Sequence, residues 1–134
     1  MIVTDEWAFV HIPKTSGTNF KHNVIKYNKN VIFGLPDKTG RGRLLQHQPL
    51  HRWEELLLNQ KVFAIIRNPY ARAASQWLYS INDKEFLSIY GKVSFIDYWG
   101  LSLDQTELGW NFTTNQVDFI KSNQERVVKV FKLE

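Results

Sequence analysis

The chain has no cysteine. This excludes disulfides, thiol nucleophiles and cysteine-ligated zinc. No apolar run approaches the ~18 residues that mark a membrane-spanning helix, so no membrane partner is expected. The opening Met1-Ile2-Val3-Thr4-Asp5-Glu6 is short and acidic and lacks the features of a secretory leader. A cytoplasmic location is therefore expected, and the sequon Asn111-Phe112-Thr113 is expected to carry no glycan. There is no block of lysine and arginine, which argues against a nucleic-acid arm or nucleic-acid partner. Internal repeats, low-complexity segments and linkers are absent too.

What remains is an ordinary globular composition in 134 residues, enough for one domain with one core. The formal charge of +4 favours anionic partners. Aromatic residues make up 14%, with five Trp, a content that suits a lined cleft or a small core equally well.

Hydrophobic patterning predicts alternating strands and helices. Residues 6–12 read as a strand and residues 18–28 as a helix with Phe20, Val24, Ile25 and Tyr27 on one broad face. Val31–Phe33 reads as a short strand, and 34–43 as a basic loop with Pro36, Gly40, Gly42, Lys38, Arg41 and Arg43. A short helix is expected over 49–59. The apolar run Val62-Phe63-Ala64-Ile65-Ile66 suits a strand buried on both faces of a parallel sheet. A helix over 69–80 follows, with Pro69 as its first residue. Residues 86–103 read as helical with breaks near Gly91 and Gly100, 114–122 as a helix and 126–133 as a last strand. The order implies an α/β fold of three layers with a mostly parallel central sheet flanked by helices.

The most informative stretch is Phe9-Val10-His11-Ile12-Pro13-Lys14-Thr15-Ser16-Gly17-Thr18-Asn19-Phe20. It reads as strand, tight turn, helix. Unpaired N–H groups and the helix dipole at such a helix start attract phosphate. Lys14 adds a charge, Thr15, Ser16 and Thr18 add hydroxyls, and Gly17 lets backbone approach a ligand. A Walker A loop requires G-x-x-x-x-G-K-[ST], and here the lysine precedes the glycine. The second strand ends in Arg67-Asn68 where a metal-dependent NTPase needs a carboxylate. A metal-free anionic ligand fits these residues better than Mg-ATP.

His11-Ile12-Pro13-Lys14-Thr15-Ser16-Gly17-Thr18 resembles the 5′-phosphosulfate loop of the P-loop sulfotransferases, with Ser16 where Gly is more usual. The closest branch is the carbohydrate enzymes of heparan sulfate 2-O type. Ile66-Arg67-Asn68-Pro69-Tyr70-Ala71-Arg72-Ala73-Ala74-Ser75-Gln76-Trp77 is similar to the family's 3′-phosphate segment, an Arg at a strand end and a Ser eight residues on. A weaker third similarity spans Thr114-Asn115-Gln116-Val117-Asp118-Phe119-Ile120 and Val130-Phe131-Lys132-Leu133-Glu134. The resemblance implies a P-loop-like fold and binding of 3′-phosphoadenosine-5′-phosphosulfate (PAPS), with its product PAP, by Lys14, Thr15, Ser16, Gly17, Thr18, Asn19, Arg67 and Ser75. No metal is implied. It also implies one sulfotransferase-like domain over 1–134, short of the helices and loop with which related enzymes continue.

The activity so implied is transfer of a sulfuryl group to a hydroxyl-bearing small molecule or glycan. Lys14 would stabilise the leaving phosphate. In related carbohydrate enzymes a His in about the region of Leu45-Gln46-His47-Gln48-Pro49-Leu50 is the base, which makes His47 the first candidate and His51 the second. His11 is expected to support the loop, His22 to face solvent, and Arg72 to be a secondary donor contact. Lys38, Arg41, Arg43 and Arg52 suit an acidic acceptor or a solvated loop. Trp53, Trp77, Trp99 and Trp110 suit sugar stacking or, for most, core packing. A shortened, non-catalytic module for nucleotide or anionic glycan is the alternative, with a P-loop kinase or NTPase behind it.

Overall fold

The computed structural model describes residues 1–27, 31–33, 47–101 and 114–133. The expectations for the basic loop 34–43, for Trp110 and for the sequon lie outside these residues.

Five strands form one mixed sheet in the order β3-β1-β2-β4-β5. They are β1 (Ile2–Thr4), β2 (Trp7–Val10), β3 (Val31–Phe33), β4 (Lys61–Arg67) and β5 (Val128–Leu133). β2, β4 and β5 pair in parallel, while β1 pairs antiparallel with both β2 and β3. β1 alone therefore runs against the other four.

The hairpin β1–β2 was not expected as two strands. Its turn contains no glycine or asparagine, the residues that usually announce one. Thr4 does the work instead: its hydroxyl accepts from the N–H of Glu6 and of Trp7 at 3.3 and 3.1 Å and donates to the Trp7 carbonyl at 3.1 Å. Three of the turn's polar groups are thereby satisfied by one buried side chain.

β4 lies where its apolar run places it, between β2 and β5. Alternate residues serve opposite faces. Val62 and Ala64, with Ile66, join Val3, Ala8, Val10, Leu50, Leu57 and Phe119 on one face. Phe63 and Ile65 join Ile2, Phe9, Trp7, Phe20 and Val24 on the other, beneath helix α1 (Gly17–Tyr27). The second cluster is largely aromatic, with Phe9 4.4 Å from Phe20 and 5.3 Å from Phe63 between ring centres. Fully burying a ring such as Phe9 stabilises by about 1.5–3 kcal/mol. Phe20 and Val24 take the core-facing positions expected of them, whereas Tyr27 is exposed.

The first face is covered by two short 3₁₀ turns, Leu50–Arg52 and Glu54–Leu56, in place of the α-helix expected over 49–59. Trp53 separates them at φ −122°, ψ −2°, a conformation that does not continue an α-helix. Glu54 is buried there and accepts from the Asn123 N–H at 2.8 Å. Arg126 donates to the carbonyl of Leu57 and, at 3.2 Å, to that of Leu58.

Helix α2 (Pro69–Ser80) starts at its proline, as expected. Its cap is Asn68, whose side chain accepts from the N–H groups of Tyr70 and Ala71. The region after it divides into α3 (Lys84–Tyr90) and α4 (Phe95–Gly100), with Gly91 at φ 67° making the break. Asp83 and Ser94 cap the two. Tyr98 ties α4 to α2 through Gln76 and Ser80. A short α5 (Gln116–Ile120) precedes β5. Among the described residues no helix is long and apolar enough to cross a membrane.

Candidate anion site at the ends of two parallel strands

β2 and β4 are parallel neighbours, so their carboxyl ends, and the segments that follow, emerge on the same side of the sheet. That rim is where open α/β sheets place ligands. The turn after β2 holds Lys14 at φ 65° and Ser16 at φ 69°, with no positive φ at Thr15 between them. Left-handed backbone at residues other than glycine is costly and is kept where surrounding structure requires it. Two left-handed residues flanking one that is not make a tight turn at the start of α1, and a turn of this kind can present backbone N–H groups to an anion.

The Thr15 hydroxyl, grouped by sequence with the ligand hydroxyls, turns inward. It is fully buried and donates to the Ile12 carbonyl at 2.9 Å, holding the turn closed. Ser16, Thr18 and Asn19 are exposed. No acid lies in the first turn of α1.

Gly17 is required for a reason the sequence did not give. The buried His11 ring packs directly on it, and a Cβ at position 17 would fall inside that ring. His11 thus supports the loop, as expected, with Phe9 stacked at 5.8 Å and the His47 ring at 4.2 Å.

From β4, the Arg67 guanidinium reaches the loop and donates to the Lys14 carbonyl at 3.4 Å. Lys14 extends its ammonium over the ring of Tyr79 on α2, 4.3 Å from the centroid. Burial, and after it the charge of Arg67, lowers the Lys14 pKa. Among the described residues the one ion pair is Lys121–Asp118, so neither Lys14 nor Arg67 is neutralised by a carboxylate there.

Arg72, expected as a secondary donor contact, directs guanidinium N–H groups at the protein itself. It is buried and donates to the carbonyls of Pro13 and Thr114, both at 3.1 Å. It therefore fastens α2 to the loop and to the segment before α5. Ser75 and Tyr79 follow Arg72 by three and seven residues and lie on the same helix face. Ser75 is half-buried on that face. Tyr79 was missed by sequence reasoning; extending the spacing from Arg72 through Ser75 by one more turn would have found it.

His47 stands beside the loop, and His51 is exposed on the first 3₁₀ turn. His47 Nδ1 is 3.1 Å from the His11 carbonyl oxygen. A carbonyl only accepts, so Nδ1 carries the proton and Nε2 keeps its lone pair. Burial pushes His47 down to about 4; its bond to the carbonyl works against this, and the positive charges of the amino terminus, Lys21 and Lys14 work with it. His11 is held well below its usual range by burial and then by His47.

A stability prediction follows. Both imidazoles are neutral in the native protein at neutral pH, while in the unfolded chain they protonate near 6.5. Between about 6.5 and 4 the unfolded state binds more protons, so stability falls as pH falls. The gap at His47 corresponds to about 3 kcal/mol by pH 4. The buried amino group, lowered by burial to about 5, has the same sign. Urea midpoints at pH 7, 6, 5 and 4 for wild type and His47→Phe isolate the histidine: the variant's midpoint is expected to fall less steeply with acid.

Compared with protein-family models, curated proteins and solved structures, the chain matches none.

Proposed function

We propose that the chain is a PAPS-dependent sulfotransferase with a P-loop-like fold, acting on a hydroxyl acceptor of the carbohydrate class. The observation that carries this reading is the convergence of Lys14 and Arg67. They come from the ends of two parallel strands, meet at one loop beside the start of α1, whose first turn holds no acid, and have no carboxylate paired with them among the described residues. Two cationic groups with no carboxylate partner among the described residues, at a tight turn before a helix, suit a ligand with more than one anionic centre.

In this reading the loop and Lys14 hold the 5′-phosphosulfate, and Arg67 with Ser75 holds the 3′-phosphate. The acceptor oxygen attacks sulfur in line, and the bond from sulfur to the 5′-phosphate oxygen breaks. The acceptor's proton passes to His47 Nε2, and PAP leaves with the bridging oxygen. Lys14 and the helix N–H groups stabilise the charge that grows on that oxygen.

The low basicity of His47 favours one second reading, a binding module that holds PAP or an anionic glycan without turnover. A thermal-shift panel of PAP, 5′-AMP and ATP with Mg²⁺ tests the donor assignment common to both. At a hundredfold excess over Kd a ligand of the native state adds about 2.7 kcal/mol, several degrees in Tm. PAP is expected to give the largest shift, and Arg67→Ala and Ser75→Ala to remove most of its advantage over AMP. A larger shift from Mg-ATP than from PAP would overturn the assignment.

A further inference from the structure

β2 leaves the parallel ladder at Val10↔Ala64, while β4 continues to Arg67. At that exit, residue 116 closes on the backbone of residue 67. The Arg67 N–H donates to Gln116 Oε1 at 2.8 Å, and Gln116 Nε2 donates to the Arg67 carbonyl at 2.8 Å. One carboxamide thus serves both polar groups of a single residue across 49 positions of sequence. Two residues earlier, the Thr114 carbonyl accepts from Arg72 at 3.1 Å. The segment 114–116 is therefore pinned on both sides of the α2 start, to Arg67 before it and to Arg72 after it.

We propose that Gln116 is a positioning residue that fixes the backbone of Arg67 and so aims its guanidinium at the 3′-phosphate. This rests on the donor reading above and adds to it the group that sets selectivity for a 3′-phosphorylated ligand. Two short bonds in opposite directions fix both the position and the rotation of a peptide unit. The guanidinium hangs from that unit on a long flexible stem, and a small rotation at the backbone is magnified at its tip. A single-acceptor or apolar side chain at 116 leaves the backbone one or both bonds short. Lys14 and the start of α1 belong to the other strand end, and the pairing reaches that loop through the Arg67 bond to the Lys14 carbonyl at 3.4 Å, so the 5′ half of the site is expected to depend on it less than the 3′ half.

The test is calorimetric titration of wild type, Gln116→Met and Gln116→Glu with PAP and with 5′-AMP, after each variant's melting curve has shown a folded protein. Met removes both bonds; Glu keeps the acceptor and loses the donor. Wild type is expected to prefer PAP. Each variant is expected to lose PAP affinity by about tenfold, the equivalent of one well-placed hydrogen bond to a charged group. Affinity for 5′-AMP is expected to stay within about twofold, because the lost contact is to the 3′-phosphate alone. A wild type with no preference for PAP overturns the donor reading and this role with it. A wild-type preference retained in full by the folded variants overturns the role of Gln116 alone. So does an equal loss of PAP and 5′-AMP, which marks general loosening. If Met prevents folding, the Glu variant decides by the same outcomes; if neither variant folds, the pairing is structural and the positioning role is rejected.

Discussion

Gly17→Ala is expected to destabilise the native state by about 3 kcal/mol, the upper part of the range for overpacking a well-filled interior. Two effects oppose each other here. Alanine gains at most about 1 kcal/mol of helix propensity over glycine, and less at the first position of α1. Against it, the new methyl would occupy space held by the His11 imidazole. That ring has nowhere simple to go, since Phe9 and His47 lie against it. Sterics therefore wins. Loss of ~3 kcal/mol is a large part of the 5–15 kcal/mol by which domains are usually stable. Urea unfolding measures it, and a double-mutant cycle identifies the cause. In a His11→Ala background the same Gly17→Ala change is expected to cost little, giving a coupling of about 2 kcal/mol. Equal stability of Gly17→Ala and wild type would show that the ring and the glycine are not in contact.

If the proposed sulfuryl transfer is this chain's reaction, His47→Ala is expected to lower its kcat by about 10²–10⁴, the usual contribution of a positioned base. Its effect on the Kd for PAP is expected to stay within about twofold, because donor binding is assigned to other residues. The pH profile adds a second readout. With its pKa down at about 4, His47 is already deprotonated across the neutral range in the free protein. The acid limb of kcat/KM is therefore expected near 4 rather than near 6.5. Bound phosphate and sulfonate charges would offset Lys21 and Lys14, so the limb of kcat should lie at higher pH than that of kcat/KM. Full turnover by His47→Ala would remove it as the base. Intact PAP binding without turnover in wild type would support the binding-module reading.

The parts of the fold written in side-chain periodicity were readable in the sequence. Val62–Ile66 announces a strand buried on both faces, and it lies between two parallel neighbours. Pro69 and Gly91 mark a helix start and a helix break because each restricts or frees backbone in a known way. The β1–β2 hairpin was hidden because Thr4 replaces turn-forming backbone with a hydroxyl, which leaves no glycine signal. The 3₁₀ turns were hidden because Leu50, Trp53 and Leu57 repeat at spacings that an α-helix shares.

At the site, sequence pointed to Lys14 and Arg67, and the structure brings them to one loop. It did not distinguish residues facing a ligand from those building its support. Thr15 and Arg72 carry groups that suit anion binding, yet both are used internally, on carbonyls of the loop. Local sequence cannot show this because the deciding partners lie far away: Arg72 meets Pro13 and Thr114, and Arg67 meets Gln116.

Two helices begin at this rim, and they are not equivalent. Asn68 already occupies the first N–H groups of α2, whereas α1 opens on the turn that holds Lys14 and that the Arg67 guanidinium reaches. In the function proposed above, a nucleotide with a phosphate at each end of its ribose would meet the α1 amides at one end and the Arg67 guanidinium at the other. Such a socket would be directional: the reversed pose would exchange two unlike hosts, so a donor would enter one way round.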